Sequence, residues 1–158
     1  MIRYKQLLTL NLIDKETKES IGKILDVIYS DNLKKIDYLI VKNDNLIKNK
    51  IPIPYKHVDF LDNNQVLYLE NMDALRDKSN EEVKGKINLL DKEIRLENGE
   101  CIGYIKDIVI NKEDGTIGGF IITEGLIEDI LKGRNYIPLL KNTRIEKECI
   151  YIPYKFIV

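Results

Sequence analysis

Two aspartates, Asp26 and Asp107, each stand inside a run of apolar, strand-forming residues. A carboxylate in that setting either binds something or holds the backbone. The functional reading makes them a related pair of anion or metal sites. The structural reading makes each an acceptor for backbone N–H groups at a strand irregularity. No second acid, histidine or cysteine recurs beside either to complete a set of metal ligands. The structural reading is therefore the one carried forward, and neither a metal nor a cofactor is expected.

The rest of the catalytic inventory is thin. His57 is the single histidine, expected at the surface on the edge of a loop. To act as a base it would have to serve Ser20, Ser30, Ser79, Cys101 or Cys149, and no motif links any of them to it. The chain has no CxxC, HExxH or EF-hand pattern, and Gly22-Lys23 lacks the earlier glycine of a phosphate loop. With 26 acidic residues, any chosen carboxylate pair is uninformative. The expectation is a non-catalytic protein.

The elements that position these residues occur twice. Ile13 to Val41 aligns without gaps on Ile94 to Ile122, a shift of 81, with nine of 29 positions identical. The matches include Gly22 with Gly103 and Asp26 with Asp107. Composition alone would give roughly two or three matches. After a three-residue insertion the repeat resumes at a shift of 84, which pairs Ile53-Pro54 with Ile137-Pro138.

The local signal is strand. The β-branched segments Ile21–Tyr29, Ile36–Val41, Ile51–Tyr55, Val66–Leu69, Ile102–Ile110, Ile117–Thr123, Tyr136–Leu140 and Ile150–Pro153 are short and mostly bounded by turn residues. Asn98-Gly99 and Asp114-Gly115 supply the positive φ of tight hairpins, and the first copy is expected to use looser loops there. Gly22 and Gly103, inside strands, mark a bulge, a bend or a close backbone approach. Pro54 and Pro138 place their strands at a sheet edge or a barrel corner, because proline lacks a ladder donor.

These signals predict an all-β chain of two tandem, small antiparallel barrels. Residues 1–71 form the first domain, 72–86 a partly helical linker, and 87–158 the second domain. The insertion carries Leu126, Ile127, Ile130 and Leu131 on one helical face, which predicts a short helix over the second barrel. With the nearby Tyr136, these residues are the candidate partner surface.

Charge excludes one class of partner. The chain carries 25 basic and 26 acidic residues, for a net charge of −1. Neither half holds the basic excess that tight, sequence-independent phosphate binding needs. No apolar run approaches the ~20 residues of a membrane helix. The expectation is a cytoplasmic protein with reduced cysteines and no membrane insertion.

The frame Ile-Gly-x-Ile-x-Asp-Val/Ile-Ile/Val, at Ile21 to Ile28 and Ile102 to Val109, resembles the PRC-barrel, as do the second apolar strand and the later Ile-Pro. The resemblance covers nearly all of the chain as a tandem pair, without the linker. It implies a small, mainly antiparallel β-barrel used as a binding module, with no catalytic residues to carry over. It also implies the stand-alone bacterial class, some members of which are linked to sporulation. The same domain type forms the cytoplasmic part of the photosynthetic reaction-centre H subunit and the C-terminal domain of a ribosome maturation factor. An adaptor for an unidentified protein partner is the first expectation, and a homo-oligomer is compatible with it. A ribosome- or RNA-associated accessory factor and a small-ligand binder or unrecognised enzyme, with a pocket between the barrels, are the alternatives.

Overall fold

A computed structural model describes residues 1–43, 50–73, 75, 87–123 and 136–153. Among the described residues it is all-β apart from one turn of helix, α1 (Tyr4–Leu7), a 3-10 turn at Tyr55–His57, and the helical Asp73 and Leu75. The linker and the expected helix with Leu126, Ile127, Ile130 and Leu131 lie largely or wholly outside the described residues.

Two six-strand arrangements follow one plan. The first runs β2 (Asn11–Asp14), β3 (Ser20–Tyr29), β4 (Ile36–Lys42), β5 (Lys50–Pro54), β6 (Val58–Phe60) and β7 (Val66–Tyr68). The second runs β8 (Glu93–Leu96), β9 (Cys101–Ile110), β10 (Ile117–Ile122), β11 (Tyr136–Pro138), β12 (Arg144–Ile145) and β13 (Cys149–Ile152). The spatial orders β5-β4-β3-β2-β7-β6 and β11-β10-β9-β8-β13-β12 are the same. A further strand, β1 (Ile2–Arg3), pairs not with its own half but with the end of β9.

The short link between β5 and β6 dictates the curl. These are the two edge strands of the first sheet, and the three residues of the 3-10 turn join them. A flat sheet of six strands is about 24 Å wide, from ~4.8 Å per strand spacing. The link from Pro54 to Val58 reaches at most about 14 Å. The sheet has to roll until its edges approach.

Rolling also explains a correction to the antiparallel expectation. The link crosses the seam without reversing the chain, so β7 arrives running in the same direction as β2. Each sheet therefore holds one parallel pair, β2 with β7 and β8 with β13. Pro52 and Pro54 lie on the edge strand β5, opposite Ile40 and Tyr38 of β4 and alternating with Ile51 and Ile53. The donors they lack are those facing away from the sheet, where no ladder needs them.

The inner faces are almost wholly aliphatic. Leu12, Ile24, Leu39, Ile51, Ile53 and Val66 in the first sheet are fully buried, as are Ile94, Ile105, Ile108, Phe120 and Ile150 in the second. They belong to one continuous buried cluster spanning both sheets. Each such side chain contributes roughly 1.5–3 kcal/mol by leaving water.

At residues 31–35 the first copy is not the looser loop expected. Ser30 N–H donates to Lys35 O at 2.8 Å, and Asn111 N–H donates to Thr116 O at 2.8 Å. Lys18 takes a φ of 63° where the second copy has Gly99 at 89°. The first β-hairpin is one residue longer and is closed by the Asp14 carboxylate, which accepts the Thr17 N–H at 3.1 Å and its hydroxyl at 2.8 Å.

Gly22 shows how close the backbones come. A Cβ there would sit 1.9 Å from Lys42 O, and its mate Gly103 faces Thr123 O at 3.3 Å. The Gly22→Ala variant is expected to lose about 3 kcal/mol in urea unfolding, because β3 and β4 must separate to admit one methyl group. A change below about 0.5 kcal/mol would contradict that close approach.

The Thr17 bonds hold the Asp14 carboxyl below the ordinary carboxylate range. A depressed folded value gives stability that is present above the unfolded pKa near 4 and is lost as the pH falls through the folded value. Thr17→Val removes the hydroxyl bond, so its melting temperature should fall less steeply than the wild type's between about pH 5 and pH 2. Parallel melting curves would remove Asp14 from the acid response.

Candidate functional site

The two halves meet through a self-complementary backbone contact. Ile36 N–H donates to Gly115 O and Ile117 N–H to Lys34 O, both at 2.9 Å, around a bridge between Lys35 and Thr116. Positions 34, 35 and 36 are the repeat mates of 115, 116 and 117 at the shift of 81. The contact thus exchanges equivalent groups, as an isologous dimer interface does. A local two-fold axis runs between Lys35 and Thr116.

The twin aspartates sit near this junction, each beside a register shift. Ile24 pairs with Val41 and Asp26 with Ile40, which leaves Leu25 bulged. Ile105 pairs with Ile122 and Asp107 with Ile121, which leaves its mate Lys106 bulged. Asp26 Oδ1 accepts the Val27 N–H at 2.8 Å, and Asp107 Oδ1 accepts the Ile108 N–H at 2.9 Å.

Both carboxylates also hold the N-terminal segment. The Tyr4 hydroxyl donates to Asp26 at 2.7 Å, and the Lys5 N–H donates to Asp107 at 3.1 Å. Ile2, Tyr4 and Leu7 are buried. Burial, with the hydrogen bond to Asp26, drives the Tyr4 phenol far above its usual range, so it stays a donor. The segment belongs to the first half in sequence but pairs with the second through β1.

Tyr55 ties the halves from the other side. Its hydroxyl donates to Lys112 O at 2.9 Å and lies 3.3 Å from Asn111 O, while its ring stacks on Phe60 with centroids 5.7 Å apart. Its repeat mate is Leu139, which offers no hydroxyl, so a search for repeated polar residues passes over it.

A cleft of about 300 Å³ opens at this junction between Tyr38, Pro54 and Tyr55 of the first half and Glu113 and Asp114 of the second. Asp114 Oδ1 accepts both the N–H and the hydroxyl of Thr116, which lowers the Asp114 pKa, with Lys35 adding to the effect.

The other expected site residues disperse. His57 lies on the 3-10 turn, half-buried with Nδ1 shielded and unpartnered among the described residues, not at the open surface expected for it. Ser20 and Ser30 flank opposite ends of β3, and both cysteines lie in the second sheet. Cys101 and Cys149 are on β9 and β13, with β8 between them. Two strand spacings separate them by about 10 Å, beyond the ~7 Å reach of a disulfide.

A row of Arg144, Tyr151, Arg95 and Cys101 crosses four strands of the second sheet. The Arg144 guanidinium stands 4.8 Å over the Tyr151 ring. Each arginine is already met by a carboxylate, Glu146 for Arg144 and Glu93 for Arg95. The row therefore offers no unneutralised cation to a phosphate. Among the described residues no group of histidine, cysteine and acids could hold a metal ion, and no helix is long and apolar enough to cross a membrane.

Pro54 and Pro138 close their edge strands in equivalent positions, opposite Tyr38 and Gly119. Tyr136, part of the candidate partner surface, is 38% exposed, and its hydroxyl donates to Gly118 O at 2.9 Å.

With this geometry in place, comparison with family models identifies one half. Residues 83–155 match the PRC-barrel domain. The match encloses β8 to β13 of the second sheet but not β1, which pairs with β9. The first sheet, which repeats the same strand order, lies outside the matched residues. No curated protein matches the chain.

Two substitutions weigh the junction. Tyr55→Phe deletes the donor to Lys112 O and is expected to cost about 1 kcal/mol in urea unfolding. Asp107→Ala strips the acceptor from two backbone N–H groups beside a buried residue and should cost about 2–3 kcal/mol. An Asp107→Ala protein as stable as the wild type would contradict the scaffold role of that carboxylate.

Proposed function

We propose that the chain is a non-catalytic adaptor built from two PRC-barrel domains, residues 1–71 and 87–158, joined by residues 72–86. Its task on this reading is to present an outer surface to a protein partner in the cytoplasm. The observation that supports it most is the identical strand order of the two sheets, one of them a PRC-barrel domain. The repeated polar groups also favour a scaffold, since Asp26 and Asp107 are engaged in backbone and N-terminal bonds. A reacting centre would need such groups turned towards a substrate.

The partner surface on this reading is the outer side of β9 to β11. Tyr104 and Tyr136 are 46% and 38% exposed there, and tyrosine offers large contact area with a polar tip. Leu126, Ile127, Ile130 and Leu131 belong to the same proposed surface by sequence, between β10 and β11.

Tagged protein used as bait in native lysate should retain a stable partner. Tyr104→Ser with Tyr136→Ser should weaken that capture at least about tenfold while the circular dichroism spectrum stays unchanged. Capture of nothing above an unrelated bait would remove the adaptor reading. Undiminished capture by the double variant would remove this surface.

A further inference from the structure

The two-fold relation creates two equivalent notches beside the junction, and the sequence treats them differently. One is the open cleft, which carries Lys35, Asp37, Tyr38, Lys56, Glu113 and Asp114. The repeat mates of these six are Thr116, Gly118, Gly119, Leu140, Asn32 and Leu33. Five charges and a phenol thus stand against none. The mate notch is also filled. Leu33 is 8% exposed, and Cβ atoms at Gly118 and Gly119 would run into the Met1 methyl and the Tyr136 ring at 2.7 Å.

Asp114 also closes the β9–β10 turn on Thr116, but the core has no use for the rest of this difference, because Asp37, Tyr38 and Lys56 are exposed and the cross-junction backbone bonds are made by neighbouring residues. The open cleft has a volume of about 300 Å³, the lower end of the range for small-molecule sites. Pro54 and Tyr55 give it an apolar, aromatic wall, while ammonium and carboxylate groups share its rim. A ligand with a single charge would meet a group of its own sign. A ligand carrying both signs can pair with each. The exposed Tyr38 ring adds a face on which a planar cation can stack.

We propose that this cleft binds a small dipolar ligand of amino-acid type, with a guanidinium or ammonium group towards Asp37, Glu113 and Asp114 and a carboxylate towards Lys35 and Lys56. The site does not depend on the adaptor reading, since its walls lie on β4, the end of β5, the 3-10 turn and the β9–β10 loop and include neither Tyr104 nor Tyr136.

The test is titration of the ¹⁵N-labelled full chain with L-arginine to about 10 mM, the weak range expected of so small a ligand. Agmatine and glutarate serve as its cationic and anionic halves. Amide shifts should concentrate at residues 35–38, 54–56 and 113–114, with each half-ligand binding at least about fivefold more weakly. Asp37→Asn with Lys56→Met, both at exposed positions, should abolish the response and leave the rest of the spectrum in place. No response at these residues to L-arginine, L-lysine or L-glutamate overturns the proposal. So do equal responses to arginine and both halves, which report charge screening, and undiminished binding by the double variant.

Discussion

A six-stranded sheet whose edge strands are joined by three residues has to close on itself, and most of this molecule follows from that tether. Closure turns every second side chain inward, so the strands can be short and still bury isoleucine after isoleucine. It carries the chain across the seam unreversed, which sets β7 parallel to β2. It also presses strands together, and Gly22 stands where the carbonyl of Lys42 leaves no room for a side chain. A sheet of about 60 residues closed in this way still buries a modest core. The continuous cluster through both sheets supplies what each half lacks alone.

The junction shows how two copies of one unit become one body. The reciprocal bonds between Ile36 and Gly115 and between Ile117 and Lys34 use backbone alone, so they place no demand on the side chains around them, which differ between the copies. The nine identities are five isoleucine pairs, Gly22 with Gly103, Asp26 with Asp107, and two exposed glutamate pairs of the first turn. Identity is lowest at residues 29–35 and 110–116, where the copies face each other and no longer need to be alike.

The longer strands were legible because isoleucine and valine recur along six or more positions between turn residues, a pattern that favours extended backbone. β1, β6 and β12 were not, because two or three residues carry no periodicity and are held by partners distant in sequence. β2 and β8 were missed for a related reason, since Asn-Leu-Ile-Asp and Glu-Ile-Arg-Leu each show two apolar residues among polar ones. The repeat shift already paired Lys35 with Thr116, but nothing in it said that the copies touch there. That depends on where the two-fold axis falls, a property of the assembled sheets. Tyr55 escaped for the opposite reason, because its role is not repeated and its mate is a leucine.

Asymmetry is therefore the more informative signal once symmetry has been assigned to the fold. Tyr4 and Lys5 engage the two aspartates through different groups, a phenol on Asp26 and a backbone N–H on Asp107. One equivalent carboxylate thus needs a tyrosine opposite it, and the other accepts any residue. A duplicated scaffold relaxes constraint on each copy's surface while the shared core stays fixed. What the surface then accumulates unevenly, with no benefit to packing, is where selection for binding leaves its trace. The charged cleft with its apolar mate meets that description. The repeated aspartates, each engaged in the same backbone duty, do not.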